Sequence, residues 1–244
     1  MISVEGIILS TSDYSETSKI LNVLTSDYGI IGVIAKGSKS LKSSLRSITD
    51  KLTYGKFNIY YKEGKLSTLV SVDVINVFKN IKKDIVKISF AGFLLELAEQ
   101  VMRHSENGQV YELLIDGLTK INEDFDPLVI TNIIEFKYLS YLGVMPVLDS
   151  CSTCGKKTNI VTLSSDKGGL ICSECYKNEF IVDPKTIKLV RMFYYVDIKK
   201  ISKIEISSKC KKEINDFLDL YYERYTGLFL KSKNFIKNIN KIVG

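Results

Sequence analysis

Short apolar strands through the first 79 residues, a change to helical periodicity near Asp84, and two CxxC pairs late in the chain predict an α+β multidomain protein. The expected parts are a small closed β-barrel at the N-terminus and an all-helical C-terminal domain interrupted by a metal-binding insertion. By residue, they are a barrel over 1–79, a first helical part over 80–150, the insertion over 151–178 and a second helical part over 179–244.

The barrel rests on five apolar runs. Ile2–Leu9, Ile20–Leu24 and Ile30–Ala35 come first, the third entered through the turn Asp27-Tyr28-Gly29. Tyr54–Tyr61 and Ser67–Phe78 read as a hairpin closed by Lys62-Glu63-Gly64-Lys65. Five strands in so short a stretch suit an OB-fold, a five-stranded barrel that binds oligonucleotides.

From Asp84 onward Ile85, Ile88, Ala91, Leu95, Ala98 and Met102 recur at near-heptad spacing and predict one buried stripe on a helix. Val110, Leu114, Leu118 and Ile121 mark a second helix. A third begins at Asp126-Pro127, where a capping carboxylate precedes a proline suited to the first turn, and ends before Gly143 and Pro146. Asp183-Pro184 repeats that signature and opens a helix to about Val196. Ser207 or Ser208 caps another, which Gly227 closes.

Cys151-Ser152-Thr153-Cys154 and Cys172-Ser173-Glu174-Cys175 stand seventeen residues apart. That interval falls inside the range of about 15–20 between paired CxxC knuckles of structural zinc sites. Two knuckles supply four thiolates to one tetrahedral ion. Four thiolates also close the coordination shell, so the expected Zn2+ is a structural staple for an insertion too small to have a core, with no open position for catalysis. Cys210, between Lys209 and Lys211, reads as a helix residue and not a fifth ligand.

Other chemistry is poorly supplied. The single histidine, His104, follows Arg103 at an expected helix end, where a cation is favourable. No GxxxxGK[ST] loop or GxGxxG turn is present. The acids between Glu96 and Glu135 read as a solvated helix face. An enzyme is therefore not expected. The opening MISVEGIILS lacks the features of a signal peptide, and no apolar run approaches the roughly 18 residues that span a bilayer, so a cytoplasmic location is expected.

The net charge of +6 is unevenly placed: +3 over 1–79, −5 over 80–150, +2 over 151–178 and +6 over 179–244. Basic ends around an acidic middle point to a polyanion partner. Lys36, Lys39, Lys42 and Arg46 place four cations in eleven residues without an acid. Gly37 and the interspersed serines suggest a flexible loop that follows a phosphate backbone. Tyr14, Tyr54, Phe57, Tyr60 and Tyr61 are candidates for stacking on unpaired bases. Lys233, Lys237 and Lys241, spaced for one helix face, make a possible second contact surface. An RNA-binding accessory protein with structural zinc is the alternative reading.

In order along the chain stand Asp13-Tyr14-Ser15-Glu16-Thr17, Tyr28-Gly29, Lys36-Gly37 with the cations after it, Gly143 and Pro146 ahead of Cys151, and the run from Tyr225 to Phe235. Taken together these segments resemble the bacterial recombination mediators of the RecO family. It implies an N-terminal OB-fold and a helical domain interrupted by a zinc ribbon. It implies binding to single- and double-stranded DNA, annealing of complementary strands, and docking on the acidic C-terminal tail of the single-strand-binding protein. With RecR, and with RecF as a further candidate partner, such proteins help RecA load onto coated single strands at the nucleoid. It further implies zinc on Cys151, Cys154, Cys172 and Cys175, DNA on Lys36, Lys39, Lys42 and Arg46, and no membrane partner.

Overall fold

The computed structural model describes residues 1–105, 108–233 and 236. Two compact units divide the chain: Met1–Glu123 with Leu230–Gly244, and Asp124–Phe229. The cut between them falls inside the 80–150 stretch, because the first helices pack on the barrel while the next packs on later helices.

In the first unit β1 (Ile2–Asp13), β2 (Lys19–Thr25), β3 (Gly29–Ala35), β4 (Tyr54–Tyr60) and β5 (Ser67–Asn76) close a barrel in the order β1-β2-β3-β5-β4. Every seam is antiparallel except β3–β5, a short parallel pairing of Val33 with Ser67 and Ile34 with Thr68. Side chains alternate as the pleat requires. Val4, Ile8, Leu21, Val23, Val33, Phe57 and Ile59 fill the interior. β1 runs four residues beyond the apolar stretch that marked it: a register shift between Ile8 and Ser10 lets polar Ser10–Asp13 go on pairing with β2.

The segment from Lys36 to Thr53 lies between barrel strands as expected, but it is not a slack loop. It is a series of turns, closed by bonds such as Ser43 N–H to Ser40 O and Arg46 N–H to Ser43 O. Leu45 and Ile48 pack against the barrel core and hold it down.

A short helix α1 (Lys79–Lys82) leads into α2 (Ile85–His104) and α3 (Gln109–Asn122). Asp84 caps α2, its carboxylate accepting from the N–H groups of Val86 and Lys87. The predicted stripe needs correction at its ends. Ala91, Leu95 and Ala98 are buried, whereas Ile85 and Ile88 are 60% and 37% exposed. Phe90, Phe93, Leu94, Leu97 and Val101 take their place, since these residues put more apolar area into the contact with the barrel and α3. Near the end of the chain, the N–H groups of Lys231 and Ser232 both donate to the Glu96 carboxylate on α2.

The second unit opens with α4 (Pro127–Tyr141), capped by Asp126 through the N–H groups of Leu128 and Val129. A small sheet follows, ordered β6 (Val147–Cys151), β8 (Gly169–Cys172), β7 (Ile160–Ser164). Helix α5 (Pro184–Tyr195) is capped by Asp183, and α6 (Ser208–Tyr225) by Ser207. In the core of α4, α5 and α6, Phe136 stacks on Phe217 and meets Phe193 edge-on. Glu135, expected on a solvated face, is buried here, and the hydroxyl of buried Tyr222 donates to its main-chain oxygen. Among the described residues no helix is long and apolar enough to cross a membrane.

Candidate metal centre and basic barrel face

The small sheet brings the two CxxC pairs together. Cys151 ends β6 and Cys172 ends β8, and these strands lie side by side in parallel, with Cys151 opposite Leu170. Each strand then turns tightly: Gly155 N–H donates to Cys151 O at 2.8 Å, and Cys175 and Tyr176 N–H groups donate to Cys172 O at 3.1 and 2.9 Å. These turns return Cys154 and Cys175 toward the first two sulfurs. The four Sγ atoms all lie within 4.8 Å of one another, and those of Cys154 and Cys172 are 3.6 Å apart. Bonds of about 2.3 Å to a tetrahedral zinc would set sulfurs about 3.8 Å apart, so the cluster has the dimensions of such a site.

The thiols are electrostatically linked. Burial pushes Cys151 up, but N–H groups of Cys172, Cys154 and Thr153 outweigh it and bring the thiol down to about 6. Cys175 moves to about 12, first through its hydrogen bond with Cys154, then through burial and the other sulfurs. One thiolate forms readily and the last resists, as expected where four negative charges crowd together without a cation. The donor set and its spacing can therefore hold a metal ion. Lys156 and Glu174, one from each knuckle, pair across the outside at 2.5 Å. Cys210 is buried in α6, away from this group. Among the described residues no other cluster of His, Cys, Asp or Glu has metal-site dimensions; the acids from Glu96 to Glu135 do not converge. His104 ends α2 in an exposed position.

On the barrel, Lys36, Lys42 and Arg46 are exposed and make no ion pair among the described residues. Lys39 differs. Its ammonium is 2.9 Å from Asp13, and its N–H donates to Thr17 O at 2.9 Å. Gly37 N–H also reaches Ser18 Oγ at 3.3 Å. The Asp13–Ser18 stretch thus braces the basic turns, a role that spacing alone did not reveal.

The aromatic candidates separate by environment. Phe57 is inside the barrel, and the Tyr54 hydroxyl donates to Glu5. Tyr14 and Tyr60 are exposed. Tyr61 lies on the barrel core beneath Tyr28, which the sequence offered only as part of a turn; their rings are 4.9 Å apart. Lys233 lies over the Phe93 ring at 5.6 Å, so one of the three terminal lysines has an intramolecular partner. Lys237, Lys241 and Phe235 are outside the described residues.

Comparison with known families decides the relationship. The family model "Recombination protein O N terminal" matches residues 1–78, and "Recombination protein O C terminal" matches residues 82–234. The chain belongs to the RecO family. The boundary between the two RecO matches follows β5. The proteins named DNA repair protein RecO from Bacillus pumilus and Bacillus subtilis are 35% and 34% identical to it, over 100% and 98% of this chain and 98% and 94% of theirs. DNA repair protein RecO of Listeria monocytogenes is 33% identical over 99% of this chain and 96% of its own. The resemblance drawn from scattered motifs is therefore a full-length relationship, and the RecO domains agree with a barrel followed by helices.

Proposed function

We propose that the chain is a recombinational DNA repair mediator that binds single- and double-stranded DNA and anneals complementary strands. The observation that carries this reading is the set of three exposed cations, Lys36, Lys42 and Arg46, without an ion pair among the described residues and fixed on one edge of a closed barrel. Cations held on turns that Leu45 and Ile48 anchor lose little freedom when they meet phosphates, and each phosphate neutralised releases counterions. Neutralising two strands on such surfaces lowers their mutual repulsion and lets complementary bases meet. Family membership supports the partners: RecR, RecA through loading onto coated strands, and the acidic tail of the single-strand-binding protein. Zinc suits the four cysteines, and with four thiolates it would order the insertion and leave no position for water. No covalent step is assigned to the chain.

Annealing of complementary oligonucleotides, bare and coated with the cognate single-strand-binding protein, tests the proposal. Faster annealing of both, with the coated reaction lost when the acidic tail is removed, supports it. No acceleration of either reaction overturns it.

A further inference from the structure

We infer that Tyr28 and Tyr61 form a platform for an unpaired base of single-stranded DNA, with Lys62 and Lys65 as its phosphate contacts. This rests on the proposed DNA-binding role and adds a second site at the other end of β3 from the basic turns.

The two tyrosines come from distant parts of the sequence. Tyr28 occupies the β2–β3 turn and Tyr61 follows β4. The β3–β5–β4 order of the barrel brings them together, with ring centroids 4.9 Å apart and planes inclined at 38°. Tyr61 rests on the barrel core, so its position is fixed by packing. Tyr28 lies against it yet stays 46% exposed, which leaves ring surface open to a ligand. Beside the pair is a cavity of about 400 Å³, within the range of small-ligand sites. Gly32 lies in its wall. A Cβ there would come within 2.8 Å of the Leu66 side chain, so the strand presents bare backbone at this point.

Charge completes the site. Lys62 and Lys65 line the same cavity, are exposed and make no ion pair among the described residues. Their turn is tied by Lys65 N–H to Lys62 O and by Lys62 N–H to Ser67 Oγ at 3.1 Å. The nearby acids Asp27 and Glu63 do not line the cavity. An aromatic face next to paired cations suits a base with its adjoining phosphates, and stacking of this kind tolerates any sequence. Bases inside a duplex have no free face to offer, so the platform is specific for single strands. β3 separates Tyr28 from Lys36 by seven residues, about 23 Å of extended chain, so a strand laid along it would meet both sites.

Fluorescence anisotropy of the full chain on a labelled oligothymidylate, an abasic oligomer of equal length and a duplex tests this. Tyr28→Leu should weaken the oligothymidylate about tenfold, while the abasic oligomer and duplex bind as before and the salt slope is unchanged. Tyr28→Phe should bind as the parent does. Lys62→Ala with Lys65→Ala should weaken both single-stranded probes alike and reduce the salt slope by about 1.4. The platform is wrong if Tyr28→Leu leaves the oligothymidylate unaffected, or weakens it no more than the abasic oligomer. A parent chain that binds none of the probes would overturn the DNA-binding role itself, and the platform with it.

Discussion

Cys154 and Cys172 hold their sulfurs 3.6 Å apart although eighteen positions separate them in the chain. The parallel β6–β8 pairing and one tight turn after each strand produce this proximity. Cys154 is exposed, so Cys154→Ser removes little packing and isolates the contribution of the metal. Elemental analysis of the parent chain should find about one zinc per chain, and of the variant almost none. Thermal unfolding should show the variant and chelator-treated parent losing stability together, by several kcal/mol. A parent chain purified with zinc present but carrying no metal would reject the assignment.

The four cations of the basic turns are not equivalent. Lys39 is engaged by Asp13 and braced through Thr17, whereas Lys36, Lys42 and Arg46 face solvent with no ion pair among the described residues. Alanine at each of the latter three should lower the single-strand salt slope by roughly 0.7. Lys39→Ala should lower it least. Equal slopes for all four variants and the parent would remove this segment from the interface.

Glycine at 169 is a geometric necessity. Its φ is +154°, and a Cβ there would lie 2.3 Å from Val147 O and 2.8 Å from Val147 N. Gly169→Ala must push β6 away from β8 and with it Cys151 away from the other sulfurs. We expect a loss on the order of 3 kcal/mol or more in chemical unfolding, with reduced metal retention. Gly155→Ala, strained at φ +76° but with nothing within 4 Å of the added carbon, should cost about 1 kcal/mol. A reversed order would contradict the packing.

The first unit should weaken in alkali. Glu5 on β1 accepts hydroxyls from Tyr54 and, at 3.0 Å, from Tyr111 on α3. Burial, then Glu5, raises Tyr54 to about 12; burial, then the charges of Tyr54 and Glu5, also raises Tyr111. A raised phenol favours the neutral form in the fold. Its contribution is complete below the unfolded value of about 10 and is lost as pH climbs toward 12. Tyr111→Phe should cost roughly 1.5 kcal/mol at neutral pH and flatten the alkaline decline, read from urea midpoints at pH 8 and 11. An unchanged alkaline decline would show that Tyr111 does not cause it.

What the residues revealed in advance was local chemistry. Asp126-Pro127, Asp183-Pro184 and Ser207 announce helix starts because a cap acts on N–H groups two or three positions away. The cysteine spacing announces a cluster because the ligand set is nearly complete within the motif. What stayed hidden depends on distant partners. Nothing near Tyr28 indicates that Tyr61 lies beneath it, and nothing near Lys39 distinguishes it from Lys42 until Asp13 arrives from β1. Heptad spacing misjudged Ile85 and Ile88 because Phe90, Phe93 and Leu97 offered the helix a larger face to bury. The strand beyond Leu9 was missed since polar Ser10–Asp13 carry no apolar alternation, and the backbone alone pairs them with β2.

The bonds from Lys231 and Ser232 to Glu96 reach back 135 and 136 positions, which has a bearing on how the chain is made. At about 5–20 residues per second, a ribosome delivers Glu96 roughly 7–27 seconds before the residues that satisfy its carboxylate. The barrel and α2 must persist through that interval with the carboxylate facing water, while the whole of the second unit emerges. Nascent chains should therefore become markedly more resistant to protease in the first unit only once Lys231 and Ser232 have emerged.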